Sequence, residues 1–270
     1  TQEPKAQEFF DQGLRLAWGF YFPESIASYQ EASRLDPGHP MPFWGMAHAM
    51  GPNPNSRYAR MPDDPKGEGL KAIKGALDRI QRATPLEAKL IRAMYVLYDK
   101  NSIPDAEKRD QAYLRVMRDL NREYPRDPDI AALYAASYMS IGRWDYWDGQ
   151  GNPKSETLPV AEALESIIAE DLTHPGVLHL HIHLIEASWE PERALVSADA
   201  LEATVPIAGH VVHMPSHIYV RVGQYGKAID SNVRSQKVDK EFAKIWGDYP
   251  LPNLGTYPLS HRMHAGHALD

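Results

Sequence analysis

The stretch FFDQGLRLAWGFYFPESIASYQEASRLDP, residues 9–37, decides how this chain folds. On either side of its aromatic centre, apolar residues recur at the spacing of an amphipathic helix. Six positions carry in order a large residue, a glycine, a small residue, an aromatic residue, an alanine and a proline: Phe9, Gly13, Ser25, Tyr29, Ala32 and Pro37. Glycine and alanine let two helices approach closely, and a proline ends the second helix. The stretch therefore predicts a pair of packed helices.

The same pattern recurs near the end of the chain. Ala194 and Pro206 occupy the matching positions of a second pair, and Ala228 follows Ala194 by 34 residues, the period of tetratricopeptide repeats. Other stretches of helical periodicity alternate with turns rich in proline, glycine and asparagine, and no strand alternation is visible. We expect an all-α solenoid of antiparallel helix pairs forming one domain over residues 1–270, with insertions near 53–66 and 143–158. An irregular helical bundle is the alternative.

The composition narrows the possible partners. The chain has 270 residues, of which 43% are hydrophobic, and a net charge of −7 without any basic run, so we expect no nucleic-acid partner. No apolar stretch is long enough to cross a bilayer. The absence of cysteine excludes disulfides, thiolate zinc sites and a cysteine nucleophile. An exported and a cytoplasmic location both stay open.

Histidine is unevenly distributed along the chain. Ten of the 12 histidines lie between positions 174 and 267. Two HxxxH pairs stand out, His179 with His183 and His213 with His217, and the second pair follows the first by 34 residues. Residues four apart share a helix face with Cβ atoms about 5–6 Å apart, and packed helices lie about 8–10 Å apart. The two pairs can therefore converge on one metal site.

Further candidates lie on the same helix faces or close by. His210 lies on the stripe of the second pair, and His261 and His264 near the end of the chain share a face that could close the site. Glu186 lies on the stripe of the first pair, where it could bind the metal, orient an imidazole or act in catalysis. The predicted metal ligands are His179, His183, His210, His213, His217, His261 and His264.

Other features of this region have structural interpretations. His181 points away from the stripe and is expected to be structural, and His174 is expected to be a turn or cap residue. Pro215 removes a helical hydrogen bond, so the helix either begins near Met214 or is kinked there. A hydrogen-bond network of histidines, or a groove for anionic ligands, is the alternative to a metal site.

The segments HLHIHLIEAS, residues 179–188, and AGHVVHMPSHIYVRVGQY, residues 208–225, resemble a family of bacterial tetratricopeptide-repeat proteins with His-rich motifs. WGMAHAMGPNPN, residues 44–55, and more loosely YPLSHRMH, residues 257–264, match further elements of that family. The resemblance covers most of the chain and implies the repeat fold, with the histidine pairs lining its concave groove. It implies no secure activity. Tyr21 and Phe22 replace an expected Asn-His, and Arg262 replaces an expected Asn.

The donor types suggest a transition metal. Imidazole suits copper, zinc, iron and nickel, whereas two histidines with Glu186 would favour non-haem iron. Seven rings exceed the four ligands of one tetrahedral ion, which favours a binuclear site or a large outer shell. We expect a metalloenzyme, with copper favoured and iron or zinc possible, that acts as an oxidase or oxygenase on a small molecule. The alternatives are a scaffold that binds a peptide or protein in its groove, and a zinc hydrolase with Glu186 as base.

Overall fold

The computed structural model describes residues 1–54, 64 and 66–246, and the regular structure in these residues is helical. The α-helices are α1 (Pro4–Trp18), α2 (Phe22–Leu35), α3 (Met41–Met50), α4 (Glu68–Leu77), α5 (Pro85–Tyr98), α6 (Ala106–Glu123), α7 (Pro128–Gly142), α8 (Thr157–Ile168), α9 (Pro175–Ile185), α10 (Leu195–Leu201), α11 (Gly209–His213), α12 (Pro215–Arg221) and α13 (Tyr225–Trp246). Short 3₁₀ turns span Ile80–Arg82 and Pro191–Ala194. The predicted all-α class is confirmed.

Consecutive helices pack as antiparallel pairs, which gives the tetratricopeptide-like solenoid that the repeat pattern predicts. The closest approaches between neighbouring helices occur at glycines. A Cβ added at Gly13 of α1 would lie 2.7 Å from the ring of Tyr29, and one at Gly45 of α3 would lie 2.5 Å from it. Tyr29 of α2 is fully buried. The two glycines therefore allow both neighbouring helices to close on one aromatic ring.

Helix starts follow local capping rules. Thr84 and Glu87 form a capping box at the start of α5. The His174 side chain accepts a hydrogen bond from the backbone N–H of Val177 at the start of α9, and its Nε2 lies 3.0 Å from Asp129 Oδ1. The cap interpretation of His174 is thus confirmed, and this cap fixes where the helix with the first histidine pair begins.

The solenoid curls so that its first pair contacts its last described helices. The Tyr21 hydroxyl, just after α1, donates to Asp239 Oδ1 in α13 at 2.9 Å and accepts from the Gly209 N–H at 2.8 Å. The ring of Trp18 packs against Gly176 in α9. The histidine-bearing helices therefore lie against the amino-terminal pair, which supplies one wall of the site.

A strap, defined as residues 143–156, joins α7 to α8 without regular helix. Arg143 and Trp144 have φ angles of 49° and 68°, and Trp147 forms an isolated bridge with Pro153. Left-handed backbone is uncommon for such residues, and here it turns the chain sharply at the end of α7. Most of the other suspected insertion, near 53–66, lies outside the described residues. In the part of the chain that is described, no helix combines the length and apolar character needed to span a membrane.

Candidate metal centre

Three helices carry the candidate ligands. His179 and His183 lie on α9, and Glu186 follows as its C-terminal cap. His210 and His213 lie on α11, which ends just before Met214, while His217 lies on α12, which begins at Pro215. The helical path is thus interrupted at Met214 because Pro215 cannot continue the hydrogen-bond ladder, as the sequence predicts.

Five imidazoles form a contiguous cluster, which we call the histidine cluster: His179, His183, His210, His213 and His217. Ring centroids are 4.9 Å apart for His179–His183, 4.8 Å for His179–His210, and 4.9 Å for His213–His217. His183 joins the two halves, because its ring lies 5.9 Å from that of His217. His179 is fully buried, whereas the side chain of His217 is 24% exposed. The cluster therefore runs from the core to the surface.

The deep end of the cluster is a group of three rings, which we call the inner trio: His179, His183 and His210. One nitrogen of each ring lies within 4.8 Å of the others. His179 Nδ1 donates to the carbonyl oxygen of Trp18 at 2.6 Å, and its Nε2 lies 3.0 Å from His210 Nε2. His183 Nε2 is buried and has no hydrogen-bond partner among the described residues. These contacts fix a lone pair on Nε2 of His179, the form that binds metals.

Glu186 connects the inner trio to the outer histidines. It accepts hydrogen bonds from His183 Nδ1 at 3.2 Å, from His217 Nδ1 at 2.5 Å and from the Trp144 indole N–H at 3.1 Å. Burial raises the pKa of Glu186, but the contacts with His183 and His217 outweigh burial and hold the pKa well below its ordinary value. The carboxylate is therefore ionised and orients both rings.

His213 lies at the outer end of the cluster. Its Nδ1 donates to Asn232 Oδ1 of α13 at 2.7 Å, and its Nε2 lies 2.9 Å from His217 Nε2. In His213 and in His217, an oxygen atom accepts the hydrogen bond of Nδ1, and Nε2 faces the other ring of the pair. Asn232 has no sequence signal of its own, because it comes from another helix and its role depends on how α11 packs on α13.

An aromatic wall closes the deep side of the cluster. Phe20 lies 4.6 Å from His179, 5.4 Å from His210 and 6.3 Å from His183, measured between ring centroids. Its φ of 63° is a left-handed conformation that is strained for phenylalanine, as functional sites often show. Phe22 stacks on Phe20 at 5.7 Å. At the two positions where the resemblance leads us to expect Asn-His, the chain thus provides the hydrogen-bonded hydroxyl of Tyr21 and the packed ring of Phe22.

The structure places the remaining predicted residues as follows. His181 lies outside the cluster, with Nδ1 2.8 Å from Ser197 Oγ and Nε2 3.3 Å from Glu165 Oε1, so its structural interpretation is confirmed. His261, Arg262 and His264 lie outside the described residues, and their roles stay predictions. Sequence reasoning missed the Trp18 carbonyl and Asn232, whose roles only tertiary packing defines, and Phe20, whose signal was the aromatic run FYF.

Comparison with known proteins identifies no family and no function for this chain. The chain matches no protein-family model, and no curated protein matches its sequence. It is similar to the solved structure described as the TPR2AB-domain:pHSP90-complex of yeast Sti1, with 13% identity, coverage of 98% of each chain and a TM-score of 0.35. The resemblance to the His-rich bacterial family therefore rests on its sequence motifs.

Proposed function

We propose that this chain is a metal-binding helical-repeat protein whose primary ion is bound by His179, His183 and His210. The observation that carries the proposal is the buried Nε2 of His183, which has no hydrogen-bond partner among the described residues and belongs to a trio of clustered imidazoles. Leaving a buried polar nitrogen without a partner costs about 1–3 kcal/mol. A metal ion bound by all three nitrogens offsets that cost.

The donor set favours copper over the harder divalent ions. The inner trio contains only nitrogen donors, which suits copper, zinc or iron and disfavours magnesium and calcium. The 3.0 Å between Nε2 of His179 and Nε2 of His210 is close to the ~2.9 Å expected for adjacent ligands at right angles, with metal–nitrogen bonds of about 2.0–2.1 Å. A tetrahedral ion would separate them by about 3.3 Å. Right angles between ligands occur in the square sites of Cu(II) and in octahedral sites, so this spacing fits copper or iron better than tetrahedral zinc.

A copper or iron ion in this position would supply redox chemistry for an oxidase or oxygenase that acts on a small molecule. The chain itself supplies the surroundings. Phe20 excludes water from the deep side of the inner trio. His217 is the most exposed ring of the cluster and marks the side from which a substrate approaches. Dry walls around such a site strengthen its electrostatic interactions.

For Glu186 we propose an orienting role beside the metal. Three N–H donors occupy its two oxygens, from His183, His217 and Trp144. A carboxylate that receives the N–H of a ligating histidine fixes the ring and increases its basicity. This arrangement gives less support to a zinc hydrolase, because the contacts with His183 and His217 hold the pKa of Glu186 well below its ordinary value and make the carboxylate a weak general base.

The peptide-binding scaffold is also less well supported. A peptide groove needs open space and donors such as lysine, arginine or asparagine for a peptide carboxylate. Here the candidate positions are occupied by packed imidazoles and by Phe20, and four of the five rings of the cluster are buried.

The proposal is tested by the metal content of the purified protein and of three variants. We expect His183→Ala and His210→Ala each to lower metal occupancy strongly, because each removes one of three ligands. His181→Ala lies on the same helix outside the cluster and should retain the metal. Elemental mass spectrometry measures occupancy, and circular dichroism verifies the helical fold. A wild-type protein that binds no copper, zinc or iron would refute the proposal.

A further inference from the structure

The outer pair, His213 and His217, is not used by the inner trio and has an unusual hydrogen-bond arrangement. His217 Nδ1 donates to the ionised carboxylate of Glu186 at 2.5 Å, and His213 Nδ1 donates to Asn232 Oδ1 at 2.7 Å. A neutral imidazole carries one N–H only. When both rings are neutral, both Nε2 atoms therefore carry lone pairs.

These two lone pairs face each other at short range. Nε2 of His213 lies 2.9 Å from Nε2 of His217, a distance at which two acceptors without a hydrogen between them repel. A cation between the two nitrogens removes the repulsion. Two candidates fit, a proton that converts one ring to imidazolium and a metal ion bound by both rings.

The surroundings favour a metal ion. The 2.9 Å spacing suits a shared proton and equally matches the ~2.9 Å between adjacent ligands at right angles around a metal ion, so the neighbouring groups decide between the two. The charge of Glu186, which contacts His217, compensates a second cation. His217 is partly exposed, so water or a substrate oxygen can complete the coordination sphere. The rings of His210 and His213 are 6.4 Å apart, which places the outer pair next to the inner trio.

We propose that the outer pair binds a second transition-metal ion through Nε2 of His213 and Nε2 of His217, so that the centre is binuclear. This inference rests on the proposed function of the inner trio and specifies the number of ions. The inner ion is enclosed by three buried rings. The outer ion has two protein ligands and is the one that exchanges with solvent and contacts small oxygen-donor molecules.

The test is the copper-to-protein ratio after the full chain is stripped with a chelator, loaded with Cu(II) and desalted. We expect a ratio of two for the wild type. The double variant His213→Ala/His217→Gln should bind one copper, because it retains the inner trio. The variant His181→Ala is the matched control and should bind two. Circular dichroism of each variant verifies the helical content.

The outcomes separate the two proposals. A wild-type ratio of one that is unchanged in the double variant overturns the second site, while the inner trio stands. The shared proton is then the remaining explanation for the short Nε2–Nε2 contact of the outer pair. A ratio of zero overturns both proposals. The wild-type ratio decides between one ion and two even if the double variant fails to fold. Electron paramagnetic resonance adds a second readout, because two adjacent Cu(II) ions couple and weaken the signal expected for the copper present.

Discussion

At the scale of single residues, the environment of each imidazole decides its chemistry. In the histidine cluster, oxygen acceptors hold Nδ1 of His179, His183, His213 and His217 and leave Nε2 available to the proposed metal ions. His48 has a different environment. Its ring stacks on Trp44 at 5.4 Å and contacts Trp18 at 5.3 Å. Its Nδ1 has no hydrogen-bond partner within the described residues. Such surroundings favour the neutral form of the ring.

We therefore predict that His48 makes the protein sensitive to acid. Burial lowers the pKa of His48 to about 4, below its ordinary value of 6.5. The unfolded chain takes up the proton first, so stability is lost as pH falls from 6.5 towards 4, by about 3 kcal/mol in total. His48→Phe keeps a stacked ring that does not titrate, and a cavity of about 30 Å³ beside His48 gives it room. Urea unfolding at pH 7.5 and pH 5 should show a smaller loss for the variant. An equal loss in both proteins would contradict the prediction.

At the scale of elements, the interrupted path of α11 and α12 and the strap between α7 and α8 shape the site. The break at Met214 assigns His210 and His213 to one short helix and His217 to the next. The strap contains Trp144, whose ring centroid lies 5.2 Å from that of His183. The indole N–H of Trp144 donates a hydrogen bond to Glu186. The strap contains left-handed backbone at Arg143 and Trp144, whereas Met214 at the junction of α11 and α12 keeps helical dihedral angles. Both elements contribute to the arrangement around Glu186.

The strap leads to a prediction about metal affinity. Trp144→Phe keeps an aromatic ring beside His183 but removes the hydrogen bond to Glu186, so Glu186 orients its histidines less firmly. We expect copper affinity to fall about tenfold, since outer-shell substitutions typically cost 10–100-fold. The matched control is Trp147→Phe in the same strap. It loses a 2.7 Å hydrogen bond to the Leu184 carbonyl of α9, which does not involve Glu186, and should keep the wild-type affinity. Titration against a competing copper chelator measures both. Equal weakening in the two variants would show that only general strap stability is involved.

At the scale of the whole molecule, the curl of the solenoid creates the site. Tyr21 and Asp239 are 218 residues apart in sequence, yet their hydrogen bond joins the first helix pair to the last described helix. The same closure brings the carbonyl of Trp18 to His179 and the ring of Phe20 onto the cluster. This closure therefore supplies two of the groups that surround the inner trio.

The closing contact leads to a pH-dependent prediction. Burial raises the pKa of Asp239 to about 6 from its ordinary 3.8, while the hydrogen bond from Tyr21 opposes this rise. The native state therefore binds the proton more tightly, and stability present below pH 4 is lost as pH rises through 6. Asp239→Asn stays neutral, so at pH 8 it should be more stable than the wild type by about 2–3 kcal/mol, with little difference at pH 4. Urea unfolding at both pH values measures this.

Asp230→Asn is the matched control for Asp239→Asn, because Asp230 is exposed on the same helix. It should show no comparable difference between the two pH values. The pH ranges in which His48 and Asp239 change stability overlap, and their effects have opposite signs. Each effect is therefore measured with the variant that removes that one titrating group. If Asp239→Asn is less stable than the wild type at pH 8, the carboxylate stabilises the closure instead.

Local periodicity was enough to predict the helix pairs and the close packing at Gly13. The proline itself predicted the interruption at Pro215, and the turn motif THPG predicted that His174 is a turn or cap residue. Periodicity also predicted that two HxxxH pairs recur at one repeat length, and the structure brings these rings into one cluster. The periodic features can be predicted from sequence because they recur at fixed intervals, either the spacing of one helix face or the length of one repeat.

Only the tertiary structure decided which groups surround those rings. His210 pairs with His179 across 31 residues, and the Trp18 carbonyl reaches His179 across 161 residues. Asn232 and Trp144 come from other elements, and Phe20 comes from the far end of the chain. No periodic pattern links such residues, because their contacts depend on the accumulated curvature of the stacked pairs, to which every helix crossing contributes. The sequence by itself therefore determined the helix pairs and the candidate ligands, and the curl of the solenoid decided the orientation, burial and partners of each ring.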